Sequence, residues 1–314
     1  MTDTGSVEVA VILAAGQGSR MGGLGRVVPK ALMPVLDRPL LIAHLDLLAR
    51  NGVRHACIVI GHLGDDVRAA VAAHPVPGIG VSFHVQAERR GLGHAVLKAE
   101  DAVAGHAFVL ILADIAFTMD DESRLFRMGD GMAGLVAVRT ETDVDAIRRN
   151  FSVVHDADGR ISRVVEKPVH LPNWLKGTGQ YAFSPALFDA IRNTPPSALR
   201  GEIELTDAIQ TLIDGRQPVH VLDAIGWDMN LTTPDDVIAC NRHYLSRNGM
   251  DVLLGTPLPA GSRSSACVVG TDVRFGGPVM LERCVVLDGA DVAAGAELRD
   301  CVVTTEGVWR SGDE

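Results

Sequence analysis

Along the first 140 positions apolar residues gather in short runs, with amphipathic stretches between them. Val7–Leu13, Ala56–Ile60, Val81–Val85, Phe108–Leu112 and Leu135–Val138 are such runs, and runs of this length read as strands buried on both faces. The stretches between them predict helices over Pro39–Asn51, which Gly52 would stop, Asp65–His74 and Gly93–Val103. Strand–helix alternation implies a parallel sheet covered on both faces, with ligands at the carboxyl ends of its strands. Gly16 and Asp114 both follow predicted strand ends, so they are expected to share one crevice.

Further along, the pattern changes. Phe151–Asp156 and Ile161–Glu166 flank Asp158-Gly159, a hairpin turn signal. Gly179–Phe183 and Val219–Leu222 predict strands, and Pro185–Asn193, Glu204–Asp214 and a segment from Pro234 to about Tyr244 predict helices. Residues 135–250 read as a second half folded onto the same sheet, making residues 1–250 one domain. In the last stretch Cys267, Cys284 and Cys301 each open a Cys-Val-Val unit. Periodic short strands with glycine turns predict a short β-solenoid over residues 251–314. Its cysteines read as small inward side chains, since no histidine follows His243 to complete a metal site.

The composition, 47% hydrophobic and 22% charged over 314 residues, is that of a globular protein. A formal net charge of −10 argues against non-specific nucleic-acid binding, so any phosphate site must be locally basic or metal-assisted. No signal-peptide pattern and no apolar run long enough to span a bilayer occurs, and a cytoplasmic location is expected. Five cysteines without a CxxC pair fit reduced thiols.

The most informative segment is Leu13-Ala14-Ala15-Gly16-Gln17-Gly18-Ser19-Arg20, followed by Pro29-Lys30. Glycines let backbone approach a ligand, and successive N–H groups in such a turn make a concavity for anions. Arg20 and Lys30 add positive charge. Met21 stands where a dinucleotide fold needs its third small residue, and no Gly-Lys-Ser/Thr follows, which excludes the Rossmann and P-loop fingerprints.

Those residues, with Lys30-Ala-Leu-Met-Pro34-Val35, resemble the signature of the sugar-1-phosphate nucleotidyltransferases, the NDP-sugar pyrophosphorylases. Gln86-Ala-Glu-Arg-Arg-Gly91-Leu-Gly93-His-Ala95, Leu112-Ala-Asp114, Glu166-Lys167-Pro168, Gly179-Gln-Tyr181, Gly201–Asp207 and Trp227-Asp228 resemble further family elements in the same chain order. The resemblance covers roughly residues 7–240 and is closest to members using UTP or dTTP. It implies an α/β fold, Rossmann-like, with a mostly parallel sheet flanked by helices. The tail resembles the short left-handed, hexapeptide-like β-helix that many members append.

The resemblance also implies roles. Leu13, Ala14, Ala15, Gly16 and Gly18, with Gln86, Gly91 and Gly93, would bind the nucleotide. Arg20 and Lys30 would be catalytic, Arg20 on the β,γ-phosphates and Lys30 between the α-phosphate and the incoming phosphate. Asp114 and Asp228 would hold Mg²⁺, and Ser152, Glu166, Lys167, Gly179, Tyr181 and Glu202 would face the sugar phosphate. The expected reaction transfers a nucleotidyl group from UTP, or next dTTP, to a sugar-1-phosphate. No general base is needed, because the acceptor phosphate is already anionic and positioning and electrostatics carry the rate. A homodimer or homotetramer is expected, with no nucleic-acid or membrane partner.

Blander readings stand beside these. Asp114 could cap a strand end, Asp228 could serve a turn, and Glu166-Lys167 could be an exposed ion pair. Glu202 and Asp207 could match a helix N-terminus, and His94 reads as structural. Phe151-Ser152 stands where the family commonly has Tyr-Gly, and Gly177 where it has Asn. Glucose-1-phosphate is therefore not assumed, and a modified hexose or cyclitol phosphate stays open. A catalytically silent subunit binding a nucleotide sugar is the alternative from another class. Such subunits typically lose the arginine, lysine or metal aspartate that this chain keeps.

Overall fold

The structure, a computed structural model, describes residues 5–198 and 201–310. It divides into two compact units, one built from residues 1–15, 45–64 and 74–228 and the other from residues 16–44, 65–73 and 229–314.

The first unit is organised by a seven-stranded sheet. Its strands run in the order Val219–Asp223, Gly134–Thr140, Leu175–Phe183, Phe108–Leu112, Val9–Ala14, His55–Ile60 and Gly80–Val85. Val9–Ala14 lies parallel to both neighbours, with Leu13 opposite Leu112 on one side and Val59 on the other. Leu175–Phe183 is antiparallel to both of its neighbours, so the sheet is mostly parallel. All five apolar runs of the first 140 residues are strands here; of the later segments Leu175–Phe183 and Val219–Asp223 join the same sheet, while the Phe151–His155/Ile161–Glu166 hairpin forms a two-stranded sheet of its own. On one face the helices Ala186–Asn193 and Leu205–Asp214 contribute Phe188, Ile191, Ile209 and Leu212 to a core with Val11, Leu110 and Val136. Phe188 stacks on Phe108 at 5.2 Å between ring centroids. Each such fully buried side chain stabilises by about 1.5–3 kcal/mol.

Two departures from the sequence reading have local causes. The helix expected over Gly93–Val103 is two short ones, Leu92–Leu97 and Glu100–Val103. Lys98 and Ala99 close the first on i−3 bonds, to Ala95 and Val96, the tighter geometry that ends helices. The strand expected from Gly179 already begins at Leu175, because Leu175–Gly177 pairs with Val138–Thr140. The Asp158-Gly159 turn is present: Phe151–His155 and Ile161–Glu166 pair antiparallel, and Gly159 adopts φ +79°.

In the second unit the helix Pro234–Arg247 opens with a capping box. The Thr233 hydroxyl accepts from the Asp236 N–H, and the Asp236 carboxylate accepts from the Thr233 N–H at 2.7 Å. Asn241 on this helix accepts from the Leu36 N–H at 2.7 Å and donates to the Pro34 carbonyl at 2.8 Å. The Cys-Val-Val repeats form stacked parallel strands, Cys267–Val269, Met280–Val286 and Glu297–Thr304, with Cys284 opposite Cys301 and Val268 opposite Val285. The three cysteines are buried among Val269, Val286 and Val303.

Candidate active site

The segment after Gly80–Val85 is rigidly held. The Gln86 amide donates to the Gly91 carbonyl at 3.1 Å and to His94 Nδ1 at 3.1 Å. Burial, with Lys98 and Arg90 adding to it, holds the His94 imidazole below the ordinary histidine range, so Nδ1 is available as an acceptor. His94 thus positions Gln86, in keeping with a structural reading. With both amide hydrogens engaged, Gln86 Oε1 is left as the acceptor.

Gly91 and Gly93 are glycine for a protein contact. Gly91 adopts φ +94°, and a Cβ there would lie 2.5 Å from the Ile203 carbonyl oxygen. A Cβ on Gly93 would lie 2.6 Å from Ile203 Cγ2. The Ile203 N–H donates to the Arg90 carbonyl at 2.8 Å and its carbonyl accepts from the Gly93 N–H at 2.9 Å. On the side where a Cβ would lie, both glycines are met by the chain segment carrying Glu202 and Ile203.

At the carboxyl ends of the central strands, Ala113 donates to the Leu13 carbonyl at 3.1 Å, which sets Ala14, Ala15 and the partly exposed Asp114 at one edge of the sheet. The strand Ile115–Met119 follows directly and pairs with Ile225–Asn230, the strand carrying Asp228. The Asp228 side chain is only 1% exposed. Its Oδ1 accepts from Arg139 Nε at 2.5 Å and meets Lys176 Nζ at 2.8 Å. Glu141 closes the group, paired with Arg139 and 3.6 Å from Lys176. Desolvation raises the Glu141 carboxyl, but the Asp143 N–H, Arg139, Lys176 and the Thr142 N–H outweigh it and leave it below the usual carboxylate range.

Asp228 Oδ2, by contrast, is buried without a hydrogen-bond partner. An orphaned carboxylate oxygen costs free energy unless something meets it, and a hard divalent cation is a fitting partner. Among the described residues no three His, Cys, Asp or Glu side chains gather as a metal cage. Substrate oxygens would have to complete the shell, as Mg²⁺ ordinarily requires. Asp228 Oδ2 is therefore a donor whose chemistry fits a cation such as Mg²⁺.

Around the hairpin, Glu166 accepts from the Thr206 hydroxyl at 3.3 Å and lies 3.4 Å from Lys167 Nζ. Lys167 holds φ +43° directly before Pro168, a conformation that β-carbons and a following proline both disfavour. Strain of this kind clusters at functional sites. Ser152 is fully buried with its hydroxyl donated to Asn173 Oδ1 at 2.9 Å. Tyr181 is buried in the core, stacked between Phe151 and Phe183, and burial raises its phenol. Both lie in packing rather than on an open face. Gly179, at φ +84°, would place a Cβ 2.5 Å from Ile115 Cδ1. At Gly177 a Cβ would lie 1.9 Å from Phe151 Cζ, so the two departures from the family pattern are one: the Phe151 ring fills the space that a side chain at 177 would need.

In the second unit, Gly16 is exposed, and a Cβ there would meet nothing within 4 Å. Gly18 turns at φ +68°, where a Cβ would lie 3.3 Å from Gly25 Cα and 3.4 Å from Lys30 Cγ. Arg20 is exposed on the short helical turn Ser19–Met21, and Lys30 is 9% exposed. Sequence reasoning missed Arg139, Glu141, Lys176 and Ile203. A signal existed for Arg139 and Lys176, charges within strands that must find partners, and for Glu141 just beyond the end of one of them.

Residues 9–247 match the nucleotidyl transferase family. The chain belongs to that family. This nucleotidyl transferase chain is 32% identical over 239 residues to the glucose-1-phosphate thymidylyltransferase of Streptomyces griseus, covering 75% of this chain and 66% of the relative, just under two thirds of its length. It is 32% identical over 235 residues to the UTP–glucose-1-phosphate uridylyltransferase AglF of Haloferax volcanii, covering 72% and 92%. A crystal structure of UDP-glucose pyrophosphorylase complexed with UDP-glucose has the same fold, with a TM-score of 0.67 at 24% identity, over 77% of this chain and 99% of that one.

Proposed function

We propose that this nucleotidyl transferase joins a nucleoside triphosphate to a sugar-1-phosphate, releasing pyrophosphate. An oxygen of the acceptor phosphate attacks the α-phosphorus, the new O–P bond forms, and the bond to the β-phosphate oxygen breaks. The observation that carries the reading is Asp228, a buried carboxylate with one oxygen unpartnered and two cations, the buried Lys176 and the partly buried Arg139, on the other. That arrangement suits a place where phosphate charge and a metal ion are brought together.

In this reading the amides of Ala15–Gly18 hold the triphosphate, Arg20 the leaving pyrophosphate, and Lys30 the α-phosphate and the incoming phosphate. Asp114 and Asp228 hold Mg²⁺, which when bound supplies positive charge to the α-phosphate. Arg139 and Lys176 neutralise Asp228 Oδ1 and keep the carboxylate oriented. Gln86 Oε1 accepts a hydrogen bond from the ring N–H that uracil and thymine share, and the resemblance of Gly91-Leu-Gly93-His-Ala95 to uridylyltransferases ranks UTP first, with dTTP next. Glu166 accepts from acceptor hydroxyls, Lys167 contacts its phosphate, and Glu202 lines the same side; Ser152, Gly179 and Tyr181 shape the wall behind. The tail is read as a short left-handed β-helix serving a homodimer or homotetramer, and the protein as cytoplasmic.

The Phe151 ring over Gly177 favours an acceptor other than glucose-1-phosphate, such as a modified hexose or cyclitol phosphate. Pyrophosphate exchange across the common nucleotides and a panel of sugar and cyclitol phosphates tests the whole reading. Metal-dependent turnover with one or more pairs is expected, and none with any pair would overturn it.

A further inference from the structure

The C-terminal strand Gly307–Trp309 pairs antiparallel with the end of Glu297–Thr304, Val302 opposite Trp309. Trp309 Nε1 donates to the Thr304 hydroxyl at 3.0 Å, which fixes the ring in the hairpin. The benzo edge of that indole lies on Gly23. A Cβ at Gly23 would lie 2.1 Å from Trp309 Cζ3 and 2.8 Å from Cη2. Gly23 has ordinary helical angles, φ −60° and ψ −34°, so backbone conformation does not demand glycine there. The contact with the indole does.

Gly23 belongs to the loop between Gly16 and Lys30, and that loop packs on itself. A Cβ on Gly25 would lie 2.4 Å from the Gly18 carbonyl oxygen, and one on Gly18 would lie 3.4 Å from Lys30 Cγ. The Met21 N–H donates to the Gly18 carbonyl at 2.8 Å. Contact therefore runs without a gap from the Trp309 ring through Gly23 and Gly25 to Gly18 and the Lys30 stem.

We propose that Trp309 is a positioning residue that braces the glycine loop in its triphosphate-holding shape, and that its fluorescence reports a triphosphate or pyrophosphate bound there. The proposal rests on the nucleotidyl-transfer reading above. The reason is entropic. A loop of glycines is costly to order, and a ring seated against Gly23 orders it before ligand arrives, which lowers the cost of binding. Without the ring, the cost falls on the nucleotide.

Trp309→Ala and Trp309→Phe are compared with the full wild-type chain in three measurements. Kinetics should show KM for the nucleoside triphosphate raised roughly tenfold in Trp309→Ala and less in Trp309→Phe, with kcat and KM for the acceptor changed by less than about twofold. Hydrogen exchange of ligand-free protein should be faster over residues 18–28 in Trp309→Ala. With the other two tryptophans, Trp174 and Trp227, replaced by Phe, the emission of Trp309 should shift saturably with pyrophosphate alone. Unchanged exchange over residues 18–28 overturns the brace, as does an unchanged nucleotide KM, and so does emission that ignores saturating pyrophosphate in an active enzyme. If Trp309→Ala fails to fold, the Phe variant and the emission titration decide. Wild-type protein that transfers no nucleotide overturns the function on which the proposal rests, and unchanged exchange separately overturns the brace.

Discussion

Replacing Lys176 by Met removes one of two cations from a group of four charges that sums to zero: Arg139 and Lys176 against Glu141 and Asp228. The Lys176 side chain is 5% exposed and that of Asp228 is 1% exposed, so water does not screen the change. Removing one partner of a buried pair typically costs about 3–5 kcal/mol. Arg139 Nε still donates to Asp228 Oδ1 at 2.5 Å, which puts the expected loss near the lower end, about 3 kcal/mol. For a domain of this size that is a fall in Tm of roughly 6–12 °C. The group would then carry one net negative charge, and Glu141→Gln in the same chain should cancel it. Glu141 Oε1 accepts from the N–H groups of Thr142 and Asp143, contacts that a glutamine oxygen can keep. The double variant should therefore recover about 1 kcal/mol or more over Lys176→Met alone. Urea or thermal denaturation of the wild type, both single variants and the double gives the coupling. A Lys176→Met protein within about 0.5 kcal/mol of wild type would refute the claim that the pair is desolvated. Strictly additive effects would refute the claim that the four charges act together.

Asp114→Asn should lose most of the turnover, about a hundredfold or more, while melting within a few degrees of wild type, measured by pyrophosphate exchange and calorimetry. Lys167→Gly should be more stable than Lys167→Ala by about 1 kcal/mol, because only the alanine keeps the strain of φ +43°. Both should raise KM for the acceptor phosphate alike, so a difference in acceptor KM would show that backbone shape rather than charge matters there. His94 has a lowered value in the fold against 6.5 ordinarily, so the unfolded chain binds its proton more readily. Its contribution to stability is therefore complete above about pH 6.5 and declines as pH falls below it. Protonated His94 can no longer accept from Gln86, so the nucleotide KM should rise over the same acid range. A flat profile in wild type would contradict the link.

Much of the fold was legible because period and punctuation agreed. The runs at Val9, His55, Phe108 and Gly134 are largely apolar on both faces and end in glycine or polar turns, the condition for reading buried parallel strands; Gly80–Val85, with Ser82 and His84 at the sheet edge, is a strand that is not buried on both faces. The Cys-Val-Val repeat gave the stacked strands of the tail for the same reason. Where reading stopped short, the decisive partner was distant in sequence. Nothing near Gly91 says that Ile203 will cross it, and nothing near Gly177 says that Phe151 will lie over it. Ile115–Met119 and Ile225–Asn230 are as long as the legible strands, but only their pairing across more than a hundred residues sets Asp228 on the strand beside the one that follows Asp114. Ser152 and Tyr181 sit at positions of the right type, yet burial spends the hydroxyl of one and the ring of the other on packing.

The crossing of Ile203 over Gly91 and Gly93 bears on how such a protein can change its substrates. The segment that carries Gln86 is stapled by two backbone hydrogen bonds to the segment carrying Glu202. A graft that imports a relative's counterpart of residues 86–95 without its own counterpart of residues 201–204 would set a side chain against that crossing segment. Under the proposed roles of Gln86 and Glu202, base choice and acceptor choice would be inherited together, and variants that alter one without the other would need substitutions that leave the staple in place.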